Sequence, residues 1–320
     1  MSITIEKEGI LTTIQDTGRI GFRHLGINPN GAMDLAAARL INLLLGNYES
    51  EAVLEMHFPA PWIVFERSAV FALGGANFNA ELNGEPVENW KPFYAERGSR
   101  LKFTGKSFGN RAYLTVQGGF KIEKWLGSAS TNLTAKTGGV SGGKLLKNDS
   151  LFFNSETGSA PKRFHYKVSG SLIPFYSRFP TVRIIAGGEH ELLTAAGELL
   201  LSRQDFVVSQ NSDRMGFRLQ GEPLFLIDKK ELVSSAVDFG TIQLLPDGQL
   251  IILMADHQTS GGYPRLAHVV KQDLPLIAQL GANDKIAFHL ISLEEAEDIQ
   301  MQFEKDLRLL RIAVKYSPNI

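Results

Sequence analysis

Thr241-Ile242-Gln243-Leu244-Leu245-Pro246-Asp247-Gly248-Gln249-Leu250-Ile251-Ile252-Leu253-Met254, running on into Ala255-Asp256-His257-Gln258-Thr259-Ser260-Gly261-Gly262-Tyr263-Pro264, decides how this chain is read. Two short apolar runs flank Pro246-Asp247-Gly248, whose turn chemistry predicts a β-hairpin. The second run, Leu250 to Met254, is a buried strand that ends directly in polar residues. Such a strand delivers Asp256, Gln258, Thr259 and Tyr263 to one spot at a sheet edge. The pair Gly261-Gly262 permits tight curvature and close approach to a ligand, and loops on a rigid scaffold commonly carry binding groups. The alternative is a polar β-turn with a capping Asp, and local chemistry leaves both open.

Strand-and-turn patterning continues outward from this hairpin. Ile3 to Ile14 alternates around a break at Gly9. Trp62 to Phe65, Ala69 to Leu73, Arg100 to Phe103 and Arg111 to Val116 are further short strands. Asn77 to Leu82 precedes Asn83-Gly84, a two-residue hairpin signal. The chain has 31 glycines and no low-complexity tract, which fits many turns and a β-rich fold.

Helices are few. Asp34 can cap one through Ala37, Leu40, Ile41 and Leu44, ended by Gly46-Asn47. A second helical stretch is expected over Leu266 to Leu280, split at Pro275 with Asp273 capping its second piece. Ser292-Leu293-Glu294-Glu295 is a capping box that starts a C-terminal helix reaching about Ile312. Composition turns polar between Asn154 and Gly170, which places a domain boundary between residues 160 and 161. Two mainly β domains, 1–160 and 161–320, each barrel-like, follow.

The bulk numbers narrow the function. Apolar residues make up 43% and charged residues 21%, so a packed core is expected. A net charge of −1 argues against a nucleic-acid partner. With no cysteine there is no disulfide framework, thiolate metal site or Cys nucleophile. Met1-Ser2-Ile3-Thr4-Ile5-Glu6 alternates like a strand and lacks a signal-peptide pattern. No apolar stretch is long enough to span a membrane, and a cytoplasmic location is expected.

Four segments carry candidate chemistry. Gln15-Asp16-Thr17-Gly18-Arg19-Ile20-Gly21 leads on to Asn30-Gly31-Ala32-Met33-Asp34. Arg19 can present a planar fork to a carboxylate or phosphate, or form a turn ion pair with Asp16. Gln117-Gly118-Gly119, Gly127-Ser128-Ala129-Ser130-Thr131 and Thr137-Gly138-Gly139-Val140-Ser141-Gly142-Gly143 are Gly-rich loops that either bind an anion through backbone N–H groups or simply connect strands. In Ser212-Asp213-Arg214-Met215-Gly216-Phe217-Arg218, the two arginines either flank an acidic ligand or Arg218 pairs with Asp213. The fourth is Asp256 to Pro264, where His257 is a general base or a hydrogen-bonded structural residue. HExxH and GxGxxG are absent and no GxSxG elbow is present, against a zinc hydrolase, a dinucleotide domain and a serine esterase. No metal ligand set is expected.

Together these segments resemble the biotin-dependent carboxyltransferase-like family, also called allophanate hydrolase subunit 2-like. The matching strings are QDTGRIG at 15–21, GAMD at 31–34, LLLGN at 43–47, LGGA at 73–76 and RAYLTVQGGF at 111–120. They continue with the GS-ST pattern at 127–131, SDRMGFRL at 212–219, GTIQ at 240–243 and DHQTSGGYP at 256–264. Their order and spacing, from Ile3 to Phe303, are specific where each alone is weak. The resemblance implies two tandem cyclophilin-like β-barrel domains. Ala129 stands where the family usually has Arg, which puts substrate choice in question.

Family members include the C-subunit of 5-oxoprolinase, a kinase-inhibitor antagonist and the carboxyltransferase region of urea carboxylase. These 320 residues hold no biotin carboxylase or biotinyl-lysine domain. The resemblance therefore points first to an ATP-hydrolysing 5-oxoprolinase component that converts 5-oxo-L-proline to L-glutamate. It would be active only with subunit-B-like and subunit-A-like partners, and ATP, with Mg, would be the co-substrate. Two alternatives are carboxyl transfer from biotin to urea or a related amide, and regulatory binding of a subunit-B-like histidine-kinase inhibitor. Asp16, Arg19, Arg214 and Asp256 are the candidate catalytic residues. Arg218, Gln258, Thr259, Gly261, Gly262, Tyr263, Ser130 and Thr131 are the candidates for substrate and nucleotide binding.

Overall fold

A computed structural model describes residues 2–154, 164–228 and 232–316. They form two compact units that interleave along the sequence. Residues 2–19, 30–154, 164–174 and 303–316 make the first; residues 20–29, 175–228 and 232–302 make the second. The boundary expected between residues 160 and 161 falls within 155–163, outside the described residues.

The first unit is two antiparallel sheets closed over one core. The six-stranded sheet runs in the order Ser150–Phe152, Ser2–Lys7, Trp62–Phe65, Arg100–Phe103, Ala80–Leu82, Glu85–Pro86. The five-stranded sheet runs Thr12–Gln15, Val53–Met56, Phe108–Val116, Ala69–Asn77, Pro92–Ala95. Strand alternation sends Ile3, Ile5, Ile63 and Phe65 from one sheet against Ile14, Leu54, Phe71 and Leu114 from the other. Burying each of these side chains is worth about 1.5–3 kcal/mol.

The opposite face of the five-stranded sheet is buried too, but polar. Glu55 and Tyr113 pair across neighbouring strands, and the Tyr113 hydroxyl donates to Glu55 Oε2 at 2.7 Å. Helix α1 (Leu35–Leu44) packs on this sheet against Phe108–Val116 and Ala69–Asn77. Its start is fixed by that pair: Met33 N–H donates to Glu55 at 2.8 Å and Asp34 N–H to the Tyr113 hydroxyl at 2.8 Å. Asp34 caps the helix as expected, accepting from Ala37 N–H at 2.9 Å. Gly74 lets the helix approach, since a Cβ there would lie 2.6 Å from Ile41 Cγ2. Burial first, then the Glu55 and Asp34 charges, hold the Tyr113 phenol well above its ordinary ionisation range.

The second unit is a closed barrel. Its order is Thr181–Ala186, Arg265–Val269, Thr241–Leu244, Leu250–Leu253, Gly216–Gln220, Phe206–Val208, Lys285–Leu290. Closure is made by a parallel pairing of Lys285–Leu290 with Thr181–Ala186. Val182, Ile184, Phe206, Phe217, Ile242, Ile252 and Ile286 are buried within it. The hairpin around Pro246-Asp247-Gly248 forms as expected, Ile242 opposite Ile252 and Leu244 opposite Leu250. A two-stranded ribbon, Ser235–Ala236 with Ser260–Gly261, accompanies the barrel. The mainly β architecture with few helices is therefore what the sequence predicts.

Two helical expectations are corrected. Leu266 to Val269 is strand, not helix, because Arg265–Val269 is bonded to barrel strands on both sides. Only a 3₁₀ turn, Lys271–Asp273, and helix α3, Leu274–Ala278, follow; Pro275 sits in α3's first turn and starts it rather than splitting it. Asp273 does not cap α3 with its side chain but accepts from Arg183 N–H at 2.7 Å and Nε at 2.9 Å. Helix α2 (Ala195–Arg203), capped by Thr194, was not expected; its Leu199-Leu200-Leu201 run lacks helical spacing. The capping box of α4 (Leu293–Lys315) forms in both directions, Ser292 N–H to Glu295 at 2.9 Å and Glu295 N–H to Ser292 at 3.1 Å. The helix reaches Lys315, three residues beyond Ile312. Among the described residues no helix is long and apolar enough to cross a membrane.

Candidate functional site

In the first unit the candidate residues converge on a buried polar knot. The Asp16 carboxylate accepts four hydrogen bonds. Gly18 N–H (2.8 Å), Ser128 Oγ (2.6 Å) and Ser130 Oγ (2.6 Å) reach Oδ1, and Ala129 N–H (2.6 Å) reaches Oδ2. Asp16 thus fixes the Gly127–Thr131 loop against its own turn, more than a hundred residues away. Arg19 is fully buried. Its guanidinium donates to Asn30 Oδ1 at 2.7 Å, the Ser130 carbonyl at 2.6 Å and the Trp125 carbonyl at 3.2 Å, and lies 4.6 Å from the Trp125 ring centre. Both charges are engaged with protein groups, so this pair organises a loop rather than presenting a fork outward.

The Gly-rich segment 137–143 packs onto the same loop. A Cβ on Gly138 would lie 2.1 Å from the Ser130 carbonyl, and one on Gly139 2.1 Å from Thr131 Oγ1. The N–H groups of Gly139, Gly142 and Gly143 donate to the carbonyls of Ala129, Gly138 and Val140. These glycines serve close backbone packing, and those amides are spent inside the protein. Ser130 and Thr131, predicted as binding residues, have no exposed surface. Ala129 is buried in the core of the unit.

In the second unit Arg214 and Asp256 form a two-point pair, Nε to Oδ2 at 2.9 Å and Nη2 to Oδ1 at 3.0 Å, with side-chain exposures of 8% and 14%. Asp256 N–H also donates to the Arg214 carbonyl at 2.8 Å. This pair ties the ends of Gly216–Gln220 and Leu250–Leu253 together where the polar loop begins. Past it, Gln258 and Tyr263 are exposed, and Thr259, Gly261 and Gly262 partly so. Gly261 lies over the buried Gln243, whose amide donates to the Tyr263 carbonyl at 3.2 Å. Arg218 stands on the exposed side of its strand, opposite Ile251 and apart from the Arg214–Asp256 pair. Asp213 turns onto Met215 N–H at 2.7 Å and not onto Arg218.

Several residues that position this loop escaped sequence reading. Asn28 Nδ2 donates to the carbonyls of both Asp256 (3.0 Å) and His257 (2.9 Å). Arg23 pairs with Asp238 at 3.0 Å and donates to the Val237 carbonyl. Nothing local marks positions 23 and 28, which lie more than two hundred residues before their partners. His257 is buried, and burial is the main cause that lowers its pKa. Burial, then Arg265, lowers that of His268. Among the described residues no three acidic or His side chains converge as a metal centre.

The sequence profile of the carboxyltransferase domain, subdomains A and B, matches residues 25–290, and the chain belongs to that family. It is 36% identical over 305 residues to the C-subunit of 5-oxoprolinase from Haemophilus influenzae, covering 93% of this chain and 94% of that one. It is 35% identical over 307 residues to the C-subunit of 5-oxoprolinase from Escherichia coli, covering 95% and 97%. The crystal structure of the K. lactis urea amidolyase superposes with a TM-score of 0.90 at 26% identity, over 97% of this chain and 20% of that one.

Proposed function

We propose that this chain is the C-subunit of an ATP-dependent 5-oxoprolinase and acts with subunit-B-like and subunit-A-like partners in the cytoplasm. The observation that carries the reading is near end-to-end similarity to two proteins of that name, at 36% and 35% identity. In the proposed reaction ATP phosphorylates the lactam oxygen of 5-oxoproline. ADP leaves, water adds to the ring carbon, and the C–N bond breaks with the nitrogen taking a proton, which leaves an acyl phosphate; a second water then releases glutamate and phosphate. Mg²⁺ would arrive with the nucleotide phosphates, a common mode for that ion.

The loop after Leu253 is the surface we assign to the small-molecule substrate. Gln258, Thr259 and Tyr263 would hydrogen-bond the lactam, Gly261 and Gly262 would admit it to the backbone, and Arg218 would meet an anionic group. We assign Arg214 and Asp256, by their mutual pairing, to hold that loop in shape. Asp16, Arg19, Ser130 and Thr131 hold the first unit's loop in the same sense. The superposition on urea amidolyase supports a second reading, biotin-dependent carboxyl transfer to urea or a related amide.

The test is glutamate release from 5-oxoproline and ATP by the co-purified three-protein complex, with a control lacking only this chain. Activity lost in the control supports the proposal. An intact complex without activity overturns it, and activity with biotin-linked carboxylate and urea would then support the second reading. Partner binding alone, with neither activity, would instead favour regulatory binding of the subunit-B-like protein.

A further inference from the structure

The start of the 256–263 loop is held by its carbonyls. Asn28 takes those of Asp256 and His257. The third, that of Gln258, lies 2.6 Å from His257 Nδ1. A carbonyl only accepts, so Nδ1 carries the proton. A neutral imidazole has one N–H, which leaves Nε2 with a lone pair. Nε2 is buried and has no hydrogen-bond partner among the described residues. Asp238 Oδ1, another acceptor, lies 3.8 Å from it.

We infer that His257 is a positioning residue that holds the 258–263 loop in one shape only while its ring is neutral and protonated at Nδ1. Three charged groups face the ring. Asp238 is paired with Arg23 at 3.0 Å, and Asp256, one residue earlier, is paired with Arg214 at 2.9 Å. A proton on Nε2 would turn the acceptor–acceptor approach into an ion pair with Asp238, in competition with Arg23. The ring would then be drawn toward the Asp238 carboxylate, and the Gln258 carbonyl would lose its donor. Burial opposes that protonation at neutral pH. The shape of the loop is thereby linked to acidity through one side chain that need not touch substrate. That the loop is the substrate-facing one rests on the reading proposed above.

Two substitutions separate the functions of the two ring nitrogens. His257→Asn keeps a donor at the Nδ1 position and cannot titrate; His257→Leu has neither property. Amide hydrogen exchange of residues 256–263 is measured in the full chain at about pH 7.5 and about pH 5, as protection factors. Wild type and His257→Asn should be equally protected at the higher pH, with His257→Leu about tenfold lower. At the lower pH only wild type should lose protection. Equal protection in His257→Leu, or the same acid loss in His257→Asn, would overturn the inference. Should His257→Leu not fold, the long-range ¹H–¹⁵N spectrum of wild type decides. A proton on Nε2 at neutral pH overturns the inference, and one on Nδ1 supports it.

Turnover by the assembled complex adds an independent arm. His257→Asn should match wild type near neutrality and lack its acid limb. An inactive wild-type complex would sink the functional reading while leaving the exchange result to judge His257.

Discussion

Replacing Asp16 by Ala should unravel the Gly127–Thr131 loop, and the size of the effect follows from its four bonds. The carboxylate is 4% exposed and accepts from two serine hydroxyls and two backbone N–H groups. The hydroxyls of Ser128 and Ser130 can rotate to other acceptors. The N–H groups of Gly18 and Ala129 cannot; a buried donor left without a partner, as at Ala129, costs about 1–3 kcal/mol, and the part-buried Gly18 N–H costs toward the lower end of that range. Two such donors, with some loss of packing, give about 3–5 kcal/mol. For a unit of this size each kcal/mol lowers the melting midpoint by about 2–4 °C, so the shift is roughly 12 °C. Asp16→Asn should cost less, about 2 kcal/mol. One amide oxygen still accepts, but whichever way the amide turns, its nitrogen faces either Gly18 N–H or Ala129 N–H. Thermal and urea unfolding followed by circular dichroism measure both variants. Unfolding of Asp16→Ala within about 0.5 kcal/mol of wild type would refute the reasoning. So would an Asp16→Asn chain of unchanged stability that abolishes turnover, since that pattern belongs to a group acting on substrate.

Gly74→Ala should destabilise the first unit by about 1–3 kcal/mol, because its Cβ would meet Ile41 Cγ2 at 2.6 Å and Trp90 Cζ3 at 2.8 Å; Gly84→Ala, with open space around it, isolates the cost of positive φ alone. Arg214→Ala removes both bonds to Asp256 and should cost about 3 kcal/mol, read by urea unfolding, and Arg214→Lys should recover only part of it because an ammonium cannot make the two-point contact. His257 and His268 both have lowered pKa values, burial being the first cause. Their contribution to stability is therefore present above the ordinary imidazole value of 6.5 and lost as pH falls below it. Unfolding titrations across that range should show stability falling toward acid, with a shallower slope in His257→Asn.

Elements set by neighbours in sequence were legible in it. Asn83 and Gly84 take φ values of 55° and 90°, the left-handed pair that a two-residue hairpin turn requires. The Asp34 cap and the Ser292–Glu295 box need only four residues each. The segment Leu266 to Val269 reads as helix because a short apolar run carries no period that separates strand from helix. The strand on either side of it decided the matter. The candidate site was legible in composition but not in role. Asp16 and Arg19 stood out as charged residues beside glycine. That Ser128, Ser130 and Asn30 would consume their hydrogen bonds depended on contacts between distant segments. Asn28 and Arg23 were invisible for the same reason.

Residues 20–29 belong with the second unit although the sequence on both sides of them belongs to the first, and residues 303–316 return to the first after the second is complete. During synthesis the segment bearing Arg23 and Asn28 leaves the ribosome long before Asp238, Asp256 and His257 exist for it to bind. It must wait, unpaired, until some two hundred further residues have been added, while the sheets on either side of it are free to form. Neither unit can be released by a single cut in the chain. A fragment ending near Pro174 would carry an orphaned strap, and one beginning near Phe175 would lack the two side chains that fix its polar loop. The pair is thus inherited, expressed and engineered as one piece, and excising either half calls for circular permutation or rejoining rather than truncation.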